Sequence, residues 1–66
     1  VKLVKLSSDC AKPHCPGVFI DEEGSLFVQG PLEMTHDVLG QTEPGPGEGV
    51  VRIRLDMVAD ALRKLD

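Results

Sequence analysis

The sequence predicts an α+β fold: a small antiparallel sheet of three to four strands with a short C-terminal helix packed on one face. Three observations predict it. Two β-rich runs flank a four-residue turn at Asp21-Glu22-Glu23-Gly24. Apolar and basic residues alternate over Val50-Val51-Arg52-Ile53-Arg54-Leu55. A helical apolar stripe then follows, at Val58, Ala61, Leu62 and Leu65.

The first element spans residues 1–6, Val-Lys-Leu-Val-Lys-Leu. Leu3 and Leu6 fit a helical spacing, but six residues make a poor isolated helix and the β-branched valines favour an extended chain. An edge strand is expected. Residues 7–16 read as loop, because Pro13 and Pro16 fix φ and disfavour helix at the residues before them.

The hairpin is the clearest local signal. Asp suits the first position of a type I turn, and Gly24 supplies the positive φ of a G1 bulge. Phe19 points away from Val18 and Ile20, and Phe27 away from Leu26 and Val28. Both faces of the ribbon are therefore apolar, and both call for a cover.

Gly30-Pro31 bends or ends the second hairpin strand, and Leu32-Glu33-Met34 could continue it beyond the kink. Residues 35–40 suit a short helical turn ending at Gly40. Residues 43–49 hold three Gly and two Pro and read as a flexible, exposed loop. Val50–Leu55 is the strongest strand candidate, with Val51, Ile53 and Leu55 on the core side. In the final helix Asp56 is the expected cap, and Asp60 and Lys64 form an i, i+4 pair.

Size bounds what this fold can do. The 66 residues allow one small domain, 1–66, and exclude a doubly wound nucleotide-binding sheet or a (β/α)₈ barrel. No apolar run exceeds three residues, so no membrane span is expected. Only Phe19 and Phe27 are aromatic. A core this poor in rings is marginal and calls for a disulfide, a metal or a partner subunit; a partner is favoured.

The net charge of −4 is unevenly spread. Residues 13–51 contain seven acids and no Lys or Arg, whereas both ends are mildly basic. Two electrostatic faces result if the ends meet in space. The first residues lack a continuous apolar stretch, so no secretory leader is expected. Two cysteines in that setting point to the cytoplasm, with Cys10 and Cys15 as free loop thiols; a Cys10–Cys15 disulfide is sterically feasible but disfavoured by a reducing compartment.

No catalytic motif is present, and the chain reads as a non-enzyme. His36 and Asp37 could suggest general-base chemistry, but no motif places a nucleophile beside them. Cys10, Cys15 and His36 are the candidate metal ligands, with His14 close by. The C-x₄-C spacing is looser than a zinc knuckle, and neither a metal nor a cofactor is expected. The acids at 21–23 read as a solvated turn. Arg52 and Arg54 share a strand face, which Lys2 or Lys5 would extend into a basic stripe if the first and last strands paired. An ordinary polar face is the plainer reading, and no aromatics are spaced to stack bases.

The segment Cys15-Pro16-Gly17 through Asp21-Glu22-Glu23-Gly24-Ser25 to Val28-Gln29-Gly30, with Gly47-Glu48-Gly49-Val50-Val51-Arg52-Ile53, resembles short actinobacterial proteins of unknown function. Their pattern is a Cys-Pro, a D-x-G-T/S turn, a V-Q-G strand end, a G-E-x-x-V-x-I strand and a final Leu-rich helix. The resemblance covers residues 14–65. The usual Asp-Arg/Lys-Gly turn is here Glu22-Glu23-Gly24, and the Pro after the last strand is missing. Such proteins are similar in setting to BldB-type and WhiJ-partner proteins, encoded beside helix-turn-helix regulators. The resemblance implies a regulatory accessory role and supplies no catalytic residue.

Taken together, the sequence suggests a protein-interaction module, with Phe19, Phe27, Arg52 and Arg54 as partner-binding candidates and a protein partner or self-association. A small nucleic-acid binder using Arg52, Arg54 and the N-terminal lysines is one alternative. A thiol or metal sensor using Cys10 and Cys15 is the other.

Overall fold

A computed structural model describes residues 1–11 and 13–65. Lys12, counted above among the basic N-terminal residues, and Asp66 lie outside the described residues. The chain forms β1 (Val4–Ser8), β2 (Gly17–Ile20), β3 (Leu26–Gln29), α1 (His36–Thr42) and α2 (Leu55–Arg63). The strands make one antiparallel sheet in the order β1-β2-β3, and α2 packs across β1 and β2. This is the expected α+β class with three strands.

The edge strand begins three residues later than the sequence pattern suggests, because its partners are Ile20, Phe19, Val18 and Gly17 of β2. Lys5 pairs with Phe19 and Ser7 with Val18, so Leu6 is an extra residue in a bulge. The bulge turns two neighbouring residues inward: Leu6 is 6% exposed and Ser7 4%. Leu6 and Val18 then meet Met57 and Ala61 of α2, with Ile20 and Ile53 at the margin.

The hairpin follows its turn chemistry. Asp21 N–H donates to the Ser25 carbonyl (3.1 Å), and Gly24 N–H donates to the Asp21 carbonyl (3.4 Å). Gly24 sits at φ +91°, where a Cβ would be strained. The Asp21 carboxylate accepts from Glu23 N–H (2.9 Å) and Ser25 N–H (2.8 Å), which locks the turn from inside.

The expected fourth strand does not form. Residues 50–54 form one isolated β-bridge, Leu32↔Val51, rather than a strand of the sheet, and helix begins at Leu55. Gly30 makes this approach feasible, since a Cβ there would stand 2.8 Å from Val51 Cγ1 and 3.1 Å from Ile53 Cγ2. The core therefore differs from the expected one. Leu55 is 83% exposed, and α2 buries Met57 and Ala61 rather than a stripe through Leu62 and Leu65, which are 54% and 46% exposed. Asp56 is not the cap: Arg54 holds that position, without a side-chain cap bond, and Asp56 lies in the first turn. Asp60 and Lys64 do pair, at 3.6 Å.

α1 runs through Gly40 to Thr42 and ends at Glu43 in the left-handed region. It buries no residue and packs against no strand and not against α2. The outline is accordingly open. The radius of gyration is 13.1 Å, against about 10.8 Å for a compact chain of this length. The accessible surface is 5221 Å², against about 4,100 Å² for a folded monomer of this mass.

Candidate functional site

The surface that stands out is the outer strand of the hairpin. β3 pairs with β2 in unbroken register, Gly17↔Gln29 to Ile20↔Leu26, and among the described residues no strand pairs with its other side. Neither helix touches it. Leu26, Phe27 and Val28 are 49%, 45% and 45% exposed, although all three are large and apolar. Leu26 and Val28 share the face of Val18, but α2 does not extend over them. Phe27 lies opposite Phe19 on the other face, where Lys5 Nζ stands 5.9 Å from the Phe19 ring centre. Both faces of the ribbon thus stay partly open at β3.

The backbone of β3 is open as well. The Asp21–Ser25 hydrogen bond sets the alternation of the ladder. Phe27 and Gln29 direct their N–H and C=O groups to β2, and Leu26 and Val28 direct theirs to the free edge. Residues 18 and 20 of β2 face β1 by the same alternation, in step with the Asp9 N–H bond to the Pro16 carbonyl at 3.2 Å.

The two arginines are differently placed from the sequence expectation. No fourth strand pairs with β1, so Lys2 and Lys5 are not set beside Arg52 and Arg54 in a stripe. Arg52 Nη2 lies 2.9 Å from Glu33 Oε1, and Arg54 Nη2 lies 2.9 Å from Asp56 Oδ2. Each arginine already faces a carboxylate. The Glu33 carboxyl is held below its ordinary value, first by the hydroxyl of Thr35, then by the Arg52 guanidinium and the Thr35 amide; its partial desolvation opposes them. The Glu33 side chain is only 8% exposed, while that of Arg52 is 70% exposed.

The cysteines are not free thiols. Cys10 and Cys15 form a disulfide with their Cα atoms 6.1 Å apart, within the ordinary span of such a bond. The expectation of free thiols rested on a reducing compartment, not on geometry. The bond closes the β1–β2 connection, where His14 takes φ +71°. Ser8 Oγ donates towards the carbonyls of Cys10 (2.7 Å) and Pro16 (3.0 Å). Gln29 Nε2 of β3 donates to the Cys15 carbonyl at 2.9 Å.

His36 opens α1 and is exposed, apart from the disulfide. Among the described residues no three His, Cys, Asp or Glu side chains are gathered as metal ligands. Asp37 accepts from Gln41 Nε2 at 3.2 Å. Glu22 accepts from the Lys2 amide at 3.2 Å. A polar groove of about 280 Å³ lies between β1 and α2, lined by Ser7, Asp9, Asp56, Asp60 and Arg63, with Asp56 and Asp60 already paired to arginines. No helix among the described residues is long and apolar enough to cross a membrane.

Phe19 and Phe27 are brought together; Arg52 and Arg54 sit on the segment that borders the end of β3. Sequence reasoning missed the free edge at Leu26 and Val28, although the hairpin alternation carried that signal. It missed Glu33 because nothing local links it to Arg52, 19 positions away. No protein family, no curated protein and no solved structure matches the chain.

Proposed function

We propose that the chain is a non-enzymatic protein-interaction module with a regulatory accessory role, and that β3 is its docking surface. The observation that carries the reading is three half-exposed apolar side chains on a strand whose outer edge, among the described residues, pairs with no strand. An extended segment laid along such an edge gains backbone hydrogen bonds and apolar contact together. Phe19 and Phe27 supply the aromatic part of that contact, and Arg52 and Arg54 lie at its rim. The regulatory role rests on the resemblance to accessory proteins encoded beside helix-turn-helix regulators.

Sedimentation of the chain alone, and mixed with a regulator encoded beside it, tests the reading. Complex formation that Phe27→Glu abolishes supports it. A chain that stays monomeric and ignores the regulator overturns it.

The disulfide favours a second reading, thiol sensing by Cys10 and Cys15. The nucleic-acid reading is weaker, because Arg52 and Arg54 are each paired with a carboxylate. A cytoplasmic setting belongs to the regulatory reading, whereas disulfides persist mainly in oxidising compartments. Alkylation of the protein inside intact cells, followed by mass measurement, tests both points. Cys10 and Cys15 alkylated in the cell and joined only after oxidation support a cytoplasmic sensor, whereas a constitutive bond removes it.

A further inference from the structure

We infer that the occupant of the β3 edge is a second copy of this chain, paired antiparallel about a two-fold axis through Phe27 to give a continuous six-stranded sheet. The inference rests on the interaction reading above and commits it to one partner.

The two edges of the sheet are unlike. β1 is blunted by a bulge at Leu6 and by Lys5, devices that keep foreign strands away. β3, Leu-Phe-Val-Gln, has neither charge, proline nor bulge. It is also self-complementary. Only Leu26 and Val28 point backbone groups outward, so the pairing that uses all of them sets Leu26 against Val28 of the second copy, and the reverse. Four hydrogen bonds form, and Phe27 falls opposite its own copy. That is a non-hydrogen-bonded position, where side chains approach most closely. The aromatic side then carries Phe19 and Phe27 from each copy, while Leu26 meets Val28 on the other.

Charge is compatible with this register. It sets Glu23 of the acidic turn opposite Pro31 of the second copy, and Arg52, whose amide is held by the Pro31 carbonyl at 3.2 Å, stays paired with Glu33 of its own chain. In the same arrangement the two acidic tips lie at opposite ends of the paired strands.

Sedimentation equilibrium from micromolar to millimolar concentration, with amide exchange by NMR on the same samples, tests the pairing. The expected result is a monomer–dimer equilibrium in which the Leu26 and Val28 amides gain protection with concentration. The Phe27 and Gln29 amides, bonded to β2, are protected throughout. Val28→Pro removes only an outward N–H, and Phe27→Lys sets like charges face to face at an exposed position. Each is expected to keep the β2–β3 protection and to weaken the dimer by at least about tenfold. Two variants keep the test decisive should one of them misfold.

A monomer at millimolar concentration, or a dimer indifferent to both substitutions, overturns the pairing. A monomer whose Leu26 and Val28 amides become protected only when a regulator is added overturns self-pairing and keeps the interaction module. A monomer with no such response sinks both.

Discussion

Glu33 and Arg52 are joined twice by one guanidinium: Nε lies 3.0 Å and Nη2 2.9 Å from Glu33 Oε1. Beside this contact, Glu33 N–H donates to the Val50 carbonyl at 2.7 Å and Arg52 N–H to the Pro31 carbonyl at 3.2 Å. These bonds, with Gly30 beneath Val51, are what hold the 50–54 segment to the end of β3.

The first prediction concerns acid. The folded Glu33 carboxyl titrates below its ordinary value of 4.5, so its contribution to stability is present above that value. It is lost as the pH falls through the lower, folded value. Urea midpoints measured from pH 7 downward are expected to drop in that window. Glu33→Gln is expected to flatten the drop, and Thr35→Ala to shift it to higher pH. An unchanged acid limb in Glu33→Gln counts against the assignment.

A second prediction follows from Gly30. An alanine Cβ would stand 2.8 Å from Val51 Cγ1. Gly30→Ala is expected to destabilise by about 1–3 kcal/mol through overpacking. Val51→Ala in the same chain should recover part of this, giving a favourable coupling in a double-mutant cycle read by urea denaturation.

The third contrasts two residues of α2. Met57 is 4% exposed and Leu55 83%. Met57→Ala is expected to cost about 2–4 kcal/mol, because the small core cannot collapse around the gap. Leu55→Ala should stay within about 0.5 kcal/mol. Equal effects would place the helix face wrongly.

The fourth concerns the disulfide. Native protein should show no thiol to an aromatic disulfide reagent before reduction. Cys10→Ser with Cys15→Ser is expected to lower stability by about 2 kcal/mol, the loop-closure value for a ring this short. Because Gln29 bonds the Cys15 carbonyl, its side-chain amide resonance should move in the same variant.

What could be read in advance was local. Asp21, Gly24 and the two β-rich runs specify the hairpin within twelve residues, and their turn chemistry needs no distant partner. The edge strand at the N-terminus was legible in type, though its register depended on the bulge at Leu6. The segment from Val50 to Leu55 misleads because its alternation is that of a strand, while a ladder also needs a partner strand. Its neighbour, Leu32, offers one bridge before the chain turns away. The helix stripe misleads differently. Val58, Ala61, Leu62 and Leu65 form a valid apolar face, but Met57 and Ala61 form another, and the position of Leu6 and Val18 decides between them. The disulfide escaped because the choice was made on compartment.

The bridge Leu32↔Val51 and the bond from Glu33 to Val50 bring the chain back to where it left. Everything between, α1 included, is an excursion that starts and finishes at one spot, and Thr35 at its start bonds back to the Glu33 carboxylate. Splicing residue 35 to residue 50 with a tight reverse turn should therefore leave the hairpin and α2 folded as before. The stretch removed is free to vary in length without disturbing the sheet or its helix.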